Sequence, residues 1–451
     1  MGNYLNPGSK GFQESLNSAI YVDKTGLIEK TNAILNTRQK FLCVSRPRRF
    51  GKSMAADMLA AYYDQGEDSS RLFEHLKISK TASYRQHLNQ YDVIKINMQE
   101  FLSATHSVKE MLELLQVRII AALRKKYPEY VDNNYLAFVM DDIYASTKHS
   151  FVILIDEWDC LFREYQQDQE AQRQYLDFLR AWLKDKEYVA LAYMTGILPI
   201  KKYGSHSALN MFTEYSMTEP GELAEYFGFT EEEVRGLCEA HNMNFEEAKI
   251  WYDGYLLVKH TRNGDICYSM YNPKSVVEAM LRHKFGTYWN QTETYEALKI
   301  YIQMDMNGLK ESVVRMLAGE RVRINTGTFS NDMTTFATKD DVMTLLVHLG
   351  YLTYDSIEEK VAIPNKEVSQ EYVNAISTMN WKEVIDSMDK PAVVMELKWD
   401  QSAAGAIQQI KNKQYIEALN DFSGNIILAG INYDRDSKKH TCRLEKIIKE
   451  I

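Results

Sequence analysis

The amino-acid sequence predicts an α/β fold: a mainly parallel sheet with helices on both faces, then a mainly helical middle region and a small C-terminal α/β unit. Three observations carry this expectation. Through residues 1–215, short apolar runs alternate with amphipathic stretches, the pattern of parallel strands joined by crossover helices. Over 216–365, helix-start signals dominate. Within 366–451, the chain returns to strand, helix, strand. A chain of 451 residues exceeds one ordinary core, so these three stretches are expected as separate domains.

The elements follow in order. "FLCVS" (41–45), "YDVIKIN" (91–97), "FVILID" (151–156) and "YVALAYMTG" (188–196) read as buried strands. Between them, "KSMAADMLAAYY" and "SVKEMLELLQVRIIAALRKKY" repeat apolar residues at helical spacing. Further on, Thr230-Glu231-Glu232-Glu233 is a capping-box start, followed by Val234, Leu237 and Cys238 on one face. A second start, Thr338-Lys339-Asp340-Asp341, precedes "VMTLLVHLGYL", with short strands such as "VAIP" after it. At the end come strand "AVVMELKW" (392–399), helix "AAGAIQQIKNKQYIEAL" (403–419) and strand "GNIILAGINY" (424–433).

Composition narrows the function classes. A net charge of -9 argues against an overall electrostatic grip on nucleic acid, though not against a local basic groove. Cys43, Cys160, Cys238, Cys267 and Cys442 lie far apart with no CxxC pair, which points to reduced thiols rather than a zinc site or a disulfide framework. The start "MGNYLNPGSK" lacks a basic-then-apolar signal pattern, and Asn6 spoils a myristoylation motif at Gly2. No later run approaches the ~18 apolar residues of a membrane span. A cytoplasmic protein without a membrane partner is expected.

The stretch "FLCVSRPRRFGKSM" (41–54) carries the chemistry. A phosphate-binding loop aims backbone N–H groups at the phosphates, and the following helix adds its positive N-terminal end. The nucleotide contacts are therefore expected from Arg46, Pro47, Arg48, Arg49, Phe50, Gly51, Lys52, Ser53 and Met54. Gly51 permits close backbone approach, Lys52 reaches the terminal phosphates, and the Ser53 hydroxyl ligates Mg²⁺. Arg46 stands where such loops begin with glycine; the guanidiniums of Arg46, Arg48 and Arg49 suit phosphate, an acidic neighbour or solvent equally. In "FVILIDEWDCL", Asp156 is expected at a strand's C-terminal end to hold the metal through water, and Glu157 to orient or deprotonate the attacking water. Thr195, at the end of "AYMTG", is expected as a polar sensor beside the γ-phosphate. Arg163 and Arg180 are the candidates for an arginine finger acting in trans.

Taken with "YVDKTGLI" (21–28), "SRPRRFGKSM" (45–54), "ILIDEWDCL" (153–161), "TGIL" (195–198), "YFGFTEEEV" (226–234), "WYDGY" (251–255), "YNPKSV" (271–276) and "LGYLTYD" (349–355), the chain resembles the AAA-ATPase-like proteins of gut bacteria. Those proteins end in a PD-(D/E)xK nuclease-like domain, and the arginine-rich loop is usual among them. The resemblance implies a P-loop ATPase core over 1–215 with ATP and Mg²⁺ as cofactors. It also implies a helical lid or winged-helix-like region over 216–365, and a nuclease-like unit over 366–451. "WYDGY" and "YNP" carry no chemistry by themselves; aromatic packing explains them at least as well.

The C-terminal resemblance is incomplete. Glu396 and Lys398 of "VVMELKW" lie on one face of a strand, as a metal-dependent nuclease needs, and Gln409 and Tyr415 match the family's following helix. The Gly-Arg-x-Asp strand that supplies the first metal-binding Asp is missing; Asp386 and Asp389 are near but not in an apolar strand. The leading expectation is an ATP-hydrolysing protein with a shortened, silent nuclease-like module that touches nucleic acid or a partner. The alternatives are an ATP-regulated, Mg²⁺-dependent DNA nuclease and a switch that binds nucleotide without turnover. An oligomer is compatible with each.

Overall fold

Five strands set the frame: β1 (Phe41–Ser45), β2 (Asp92–Asn97), β3 (Phe151–Asp156), β4 (Val189–Gly196) and the short, partly exposed β5 (Thr213–Tyr215). The computed structural model describes residues 4–200, 209–289, 294–304, 306–330, 333–377, 392–413, 426–435 and 438–447. The five strands form one parallel sheet in the order β2-β3-β4-β1-β5. Because alternate residues point to opposite faces, Cys43, Ile153 and Met194 enter one core while Leu42, Val44, Leu154 and Tyr193 enter the other. The helix Lys52–Tyr63 covers the second face through Ala55, Met58 and Leu59. Helices Val108–Lys126, Leu136–Thr147 and Gln169–Leu183 cover the first through Leu115, Val139 and Leu179. Burial on both faces is why β1, β3 and β4 read as continuous apolar runs. The α/β class expected from the sequence is the class observed.

The middle region is less purely helical than its sequence pattern suggests. Both capping boxes form, at Thr230 with Glu233 and at Thr338 with Asp341. Helices alternate, however, with two antiparallel sheets. One joins β6 (Phe229–Thr230), β7 (Tyr255–Thr261) and β8 (Gly264–Tyr271) in the order β6-β8-β7. The other joins β9 (Val322–Arg323), β10 (Thr353–Asp355) and β11 (Lys360–Ala362) in the order β10-β11-β9. The β7–β8 hairpin turns through Arg262-Asn263 between the paired Thr261 and Gly264, and Gly264, at φ +116, completes an Asn-Gly hairpin signal. That signal was available in the sequence.

The "WYDGY" motif is a packing device. Gly254 has φ +106, and a Cβ there would lie 2.0 Å from the Pro364 carbonyl oxygen. Asp253 accepts from Ser269 Oγ at 2.6 Å, and its carbonyl accepts from Asn365 Nδ2 at 2.9 Å. The first-face core continues without a break into Val342, Leu345, Leu346, Tyr351 and Tyr372, so the middle region packs directly onto the sheet.

At the C-terminal end β12 (Ala392–Trp399), β13 (Ile426–Asp434) and β14 (Lys439–Ile447) make a third small sheet in the order β12-β13-β14. β12 and β13 are parallel, and β14 is antiparallel. The helix Ala403–Asn412 packs Ile407 and Ile410 against Ile426 and Leu428 in a small core of their own.

Candidate nucleotide site

The sheet order decides what meets at the loop. β4 lies between β1 and β3, so the chain ends at Ser45, Asp156 and Gly196 stand side by side at the C-terminal edge. The loop from Arg46 to Gly51 leaves β1 and enters the helix Lys52–Tyr63. It turns through positive φ at Arg49 (+69) and Gly51 (+91), and no atom lies within 4 Å of where a Gly51 Cβ would be. Glycine there relieves backbone strain and keeps the concave side open.

Lys52 is 5% exposed, and its Nζ donates to the carbonyls of Arg46 and Pro47, both at 2.9 Å. Burial lowers its pKa, while Glu157, Asp156 and Asp159 oppose that shift. Ser53 and Met54 are exposed at the helix start and line the cavity. Asp156 is buried, and its Oδ1 accepts from Thr195 Oγ1 and, at 3.0 Å, from the Glu157 N–H. Glu157 follows with φ +53, and its carboxylate pairs with Arg163. Burial raises the Glu157 pKa and the Arg163 charge opposes it. Lys52, Ser53, Asp156, Glu157 and Thr195 are thus brought to one edge from three neighbouring strands.

Two loop residues play a different part from the one their sequence position suggests. Arg46, expected among the nucleotide contacts, turns its guanidinium away into the protein. Its Nη1 donates to the carbonyls of Ser45 (2.9 Å) and Tyr215 (2.8 Å), and the group lies 5.6 Å from the Phe227 ring centre. Burial pulls its pKa down to about 9. Among the described residues Nε and Nη2 have no hydrogen-bond partner. Pro47 is buried too, pressed against Gly350. Arg48, Arg49 and Phe50 do line the cavity.

Arg163 and Arg180 also separate. Arg163 sits in the site of its own chain, paired with Glu157, whereas Arg180 is exposed on the helix Gln169–Leu183.

The cavity above the loop holds about 980 Å³. Among the described residues it is lined by six basic side chains, Lys24, Arg48, Arg49, Lys52, Arg163 and Lys274, against the acidic Glu157 and Glu164. That excess suits a polyphosphate. Its apolar part comes from Phe12, Ile20, Val22, Met58, Phe229 and Val277. Sequence reasoning missed this wall, although "YVDKTGLI" supplies Val22 and "YFGFTEEEV" supplies Phe229. Asn272 caps the helix Pro273–Arg282 by accepting from the Ser275 N–H, and this aims Pro273 and Lys274 at the cavity.

The middle region closes on the loop itself. Gly228 N–H donates to the Phe50 carbonyl at 3.1 Å, and Phe50 packs edge-on to Tyr255 at 5.1 Å. Tyr255 in turn donates to the Gly350 carbonyl at 3.0 Å. The cavity-lining Trp289 meets Tyr351 at 5.1 Å.

In the C-terminal sheet, Glu396 and Lys398 project toward the helix Ala403–Asn412. Lys398 Nζ donates to Gln409 Oε1, and Gln409 Nε2 donates to Glu396 Oε1. Asp386, Asp389 and Tyr415 lie outside the described residues. Among those described, no three His, Cys, Asp or Glu residues cluster to hold a metal ion. No helix among them is long and apolar enough to cross a membrane.

Residues 8–205 match the AAA-ATPase-like family, described as predicted AAA-ATPase. The match supports a P-loop ATPase unit that binds ATP in this part of the chain. The chain is 23% identical over 389 residues to an uncharacterized protein in the vnfD 5' region of Azotobacter chroococcum mcd 1, covering 83% of this chain and 68% of that one. Among solved structures it is similar to the Walker-type ATPase PABY2304 of Pyrococcus abyssi, at 13% identity and a TM-score of 0.38, covering 78% of this chain and 94% of that one. It is also similar to the ORC2 protein of Aeropyrum pernix, in ADPNP–ADP complexes, at 11% identity and a TM-score of 0.29, covering 84% and 99%.

Proposed function

We propose that this protein binds ATP at the 41–54 loop and hydrolyses it with Mg²⁺, using the middle region as a lid. The observation that carries the reading is the convergence of Lys52, Asp156, Glu157 and Thr195 at one sheet edge beneath a basic cavity. Lys52, already folded across the concave loop, moves its donors from carbonyls to phosphate oxygens. The loop N–H groups and the helix start at Lys52 hold the same phosphates. Glu157 accepts a proton from the attacking water, and Thr195 keeps the Asp156 carboxylate turned toward the site.

The residues present fit a magnesium ion. Mg²⁺ needs one or two protein oxygens beside water and phosphate, not a carboxylate cage. The exposed Ser53 hydroxyl and the Asp156 carboxylate would hold it. When bound, it neutralises phosphate charge.

The units 1–215, 216–365 and 366–451 are proposed as ATPase, lid and nuclease-like remnant. The loop contacts of Gly228, Tyr255 and Gly350 support a lid that responds to nucleotide. The Lys398–Gln409–Glu396 chain supports a C-terminal module that is silent in cleavage and serves to touch nucleic acid or a partner, and a cytoplasmic oligomer is compatible with this.

Steady-state phosphate release from Mg·ATP, with and without DNA, tests the assignment. Lys52→Ala should remove turnover and weaken ATP binding about 10- to 100-fold, the worth of charge-assisted hydrogen bonds of about 1.5–3 kcal/mol. Unchanged affinity in that variant would sink the reading. Binding without turnover in the native chain would favour the switch. DNA cleavage that Glu396→Ala abolishes would favour the nuclease.

A further inference from the structure

The sequence "DEWDCLFR" (156–163) contains two charged residues beyond the Asp-Glu pair, and the structure ties both into the site. After Glu157 the chain enters the short helix Cys160–Glu164, with Asp159 just before it. Asp159 and Arg163 are four residues apart, so they lie on one helical face. The Arg163 Nη2 pairs with Glu157 Oε2, and its Nε lies 3.5 Å from Asp159 Oδ2. The Asp159 side chain is fully buried, and that of Arg163 is 13% exposed.

Asp159 is held in turn by the chain leaving β4. Its Oδ2 accepts from the N–H groups of Ile197 at 2.9 Å and Leu198 at 2.8 Å. A Cβ on Gly196 would come within 2.7 Å of Asp159 Oδ1 and of the Trp158 indole, so glycine lets the two segments approach. One residue earlier, Thr195 reaches Asp156, and its carbonyl accepts from the Trp158 N–H at 3.0 Å. The "TGIL" segment therefore grips Asp156 and Asp159, on either side of Glu157.

We propose that Arg163 is a positioning residue for ATP hydrolysis: it holds one oxygen of the Glu157 carboxylate, and Asp159 anchors it to the end of β4. The Glu157 oxygen left over is the one that meets the water. A general base works only within hydrogen-bond reach of its proton, and small misplacements are costly. Glu157, on a strained turn with a flexible side chain, needs such a fixed partner. This rests on the ATPase reading above and names a residue that reading leaves unused.

The test is steady-state turnover of the full chain with Mg·ATP for the native protein, Arg163→Met, Arg163→Lys and Lys52→Ala. Arg163→Met should lower kcat about 10- to 100-fold with KM for ATP within about twofold, the signature of lost alignment rather than lost binding. Arg163→Lys keeps the charge without the fork and should recover part of the loss. Unchanged or raised kcat in Arg163→Met would overturn the proposal, and a rise in KM of the same size as the kcat loss would assign the residue to binding instead. If Arg163→Met does not fold, Arg163→Lys decides: reduced kcat at native KM supports the role, native kcat refutes it. Native turnover no higher than that of Lys52→Ala would overturn the ATPase reading together with this one.

Discussion

Replacing Gly350 by alanine should disturb the middle region and the 41–54 loop together, because this residue ends the helix Lys339–Leu349 against Pro47. Its φ is +87, and its backbone N–H bonds back into the helix. Forcing an L-residue into that region costs about 1–2 kcal/mol. The new methyl would also sit 2.8 Å from Pro47 Cβ and 3.3 Å from the Trp289 ring. Carbon atoms prefer separations of about 3.5–4.0 Å, so the first contact is short by about 0.7–1.2 Å. The proline ring cannot rotate aside, and overpacking of this kind adds about 1–3 kcal/mol. The sum is about 2–5 kcal/mol. Gly264→Ala is the control: φ is +116, yet no atom lies within 4 Å of the new methyl, so only about 1–2 kcal/mol is expected. Urea unfolding of both variants measures the difference, and fluorescent-nucleotide titration measures ATP affinity. Gly350→Ala should lose more stability and bind ATP more weakly than Gly264→Ala. Equal losses with equal affinities would refute the coupling of the middle region to the loop through Gly350.

Other consequences can be checked in the same assays. Arg46→Met fills a similar volume without the buried guanidinium, so ATP affinity should stay within about twofold, since the Arg46 donors serve Ser45 and Tyr215. A tenfold loss would return Arg46 to the nucleotide contacts. Glu367 accepts from the N–H groups of Tyr288 (2.6 Å) and Trp289 (2.9 Å), and burial raises its pKa, with Glu371 adding to the shift. The folded chain thus binds this proton more tightly than the unfolded one. The stability linked to it is full below the unfolded carboxylate pKa of about 4.3 and falls as pH rises through the folded value. Glu367→Gln keeps an acceptor oxygen and should flatten that part of the stability–pH profile; an unaltered slope would exclude Glu367 as its source.

Much of the first unit was legible in the sequence, for definite reasons. The strands at 41–45, 151–156 and 189–196 are buried on both faces, so nothing polar interrupts them until the sheet edge, where Asp156 and Thr195 appear. The capping boxes at Thr230 and Thr338 are local and needed no tertiary information. The β7–β8 hairpin was legible at Asn263-Gly264 but hidden among helix signals. Arg46 was not legible. A guanidinium in a loop beside a phosphate site gives no sign that the backbone turns it toward Phe227 and Tyr215.

What the sequence by itself determined is the set of local elements and the chemistry of each turn: strand, glycine loop, lysine and serine at a helix start, and a second strand ending in Asp156 and Glu157. These depend on neighbours within a few residues. Which turns meet was decided by the tertiary structure. The insertion of β4 between β1 and β3 brings Thr195 to Asp156 across 39 positions of chain, and Ile197 and Leu198 to Asp159 across 38 and 39. The same packing seats Gly228, Tyr255 and Gly350 on a loop far away in sequence. Such contacts arise from the burial of whole sheet and helix faces, and no local pattern encodes the order in which strands lie side by side.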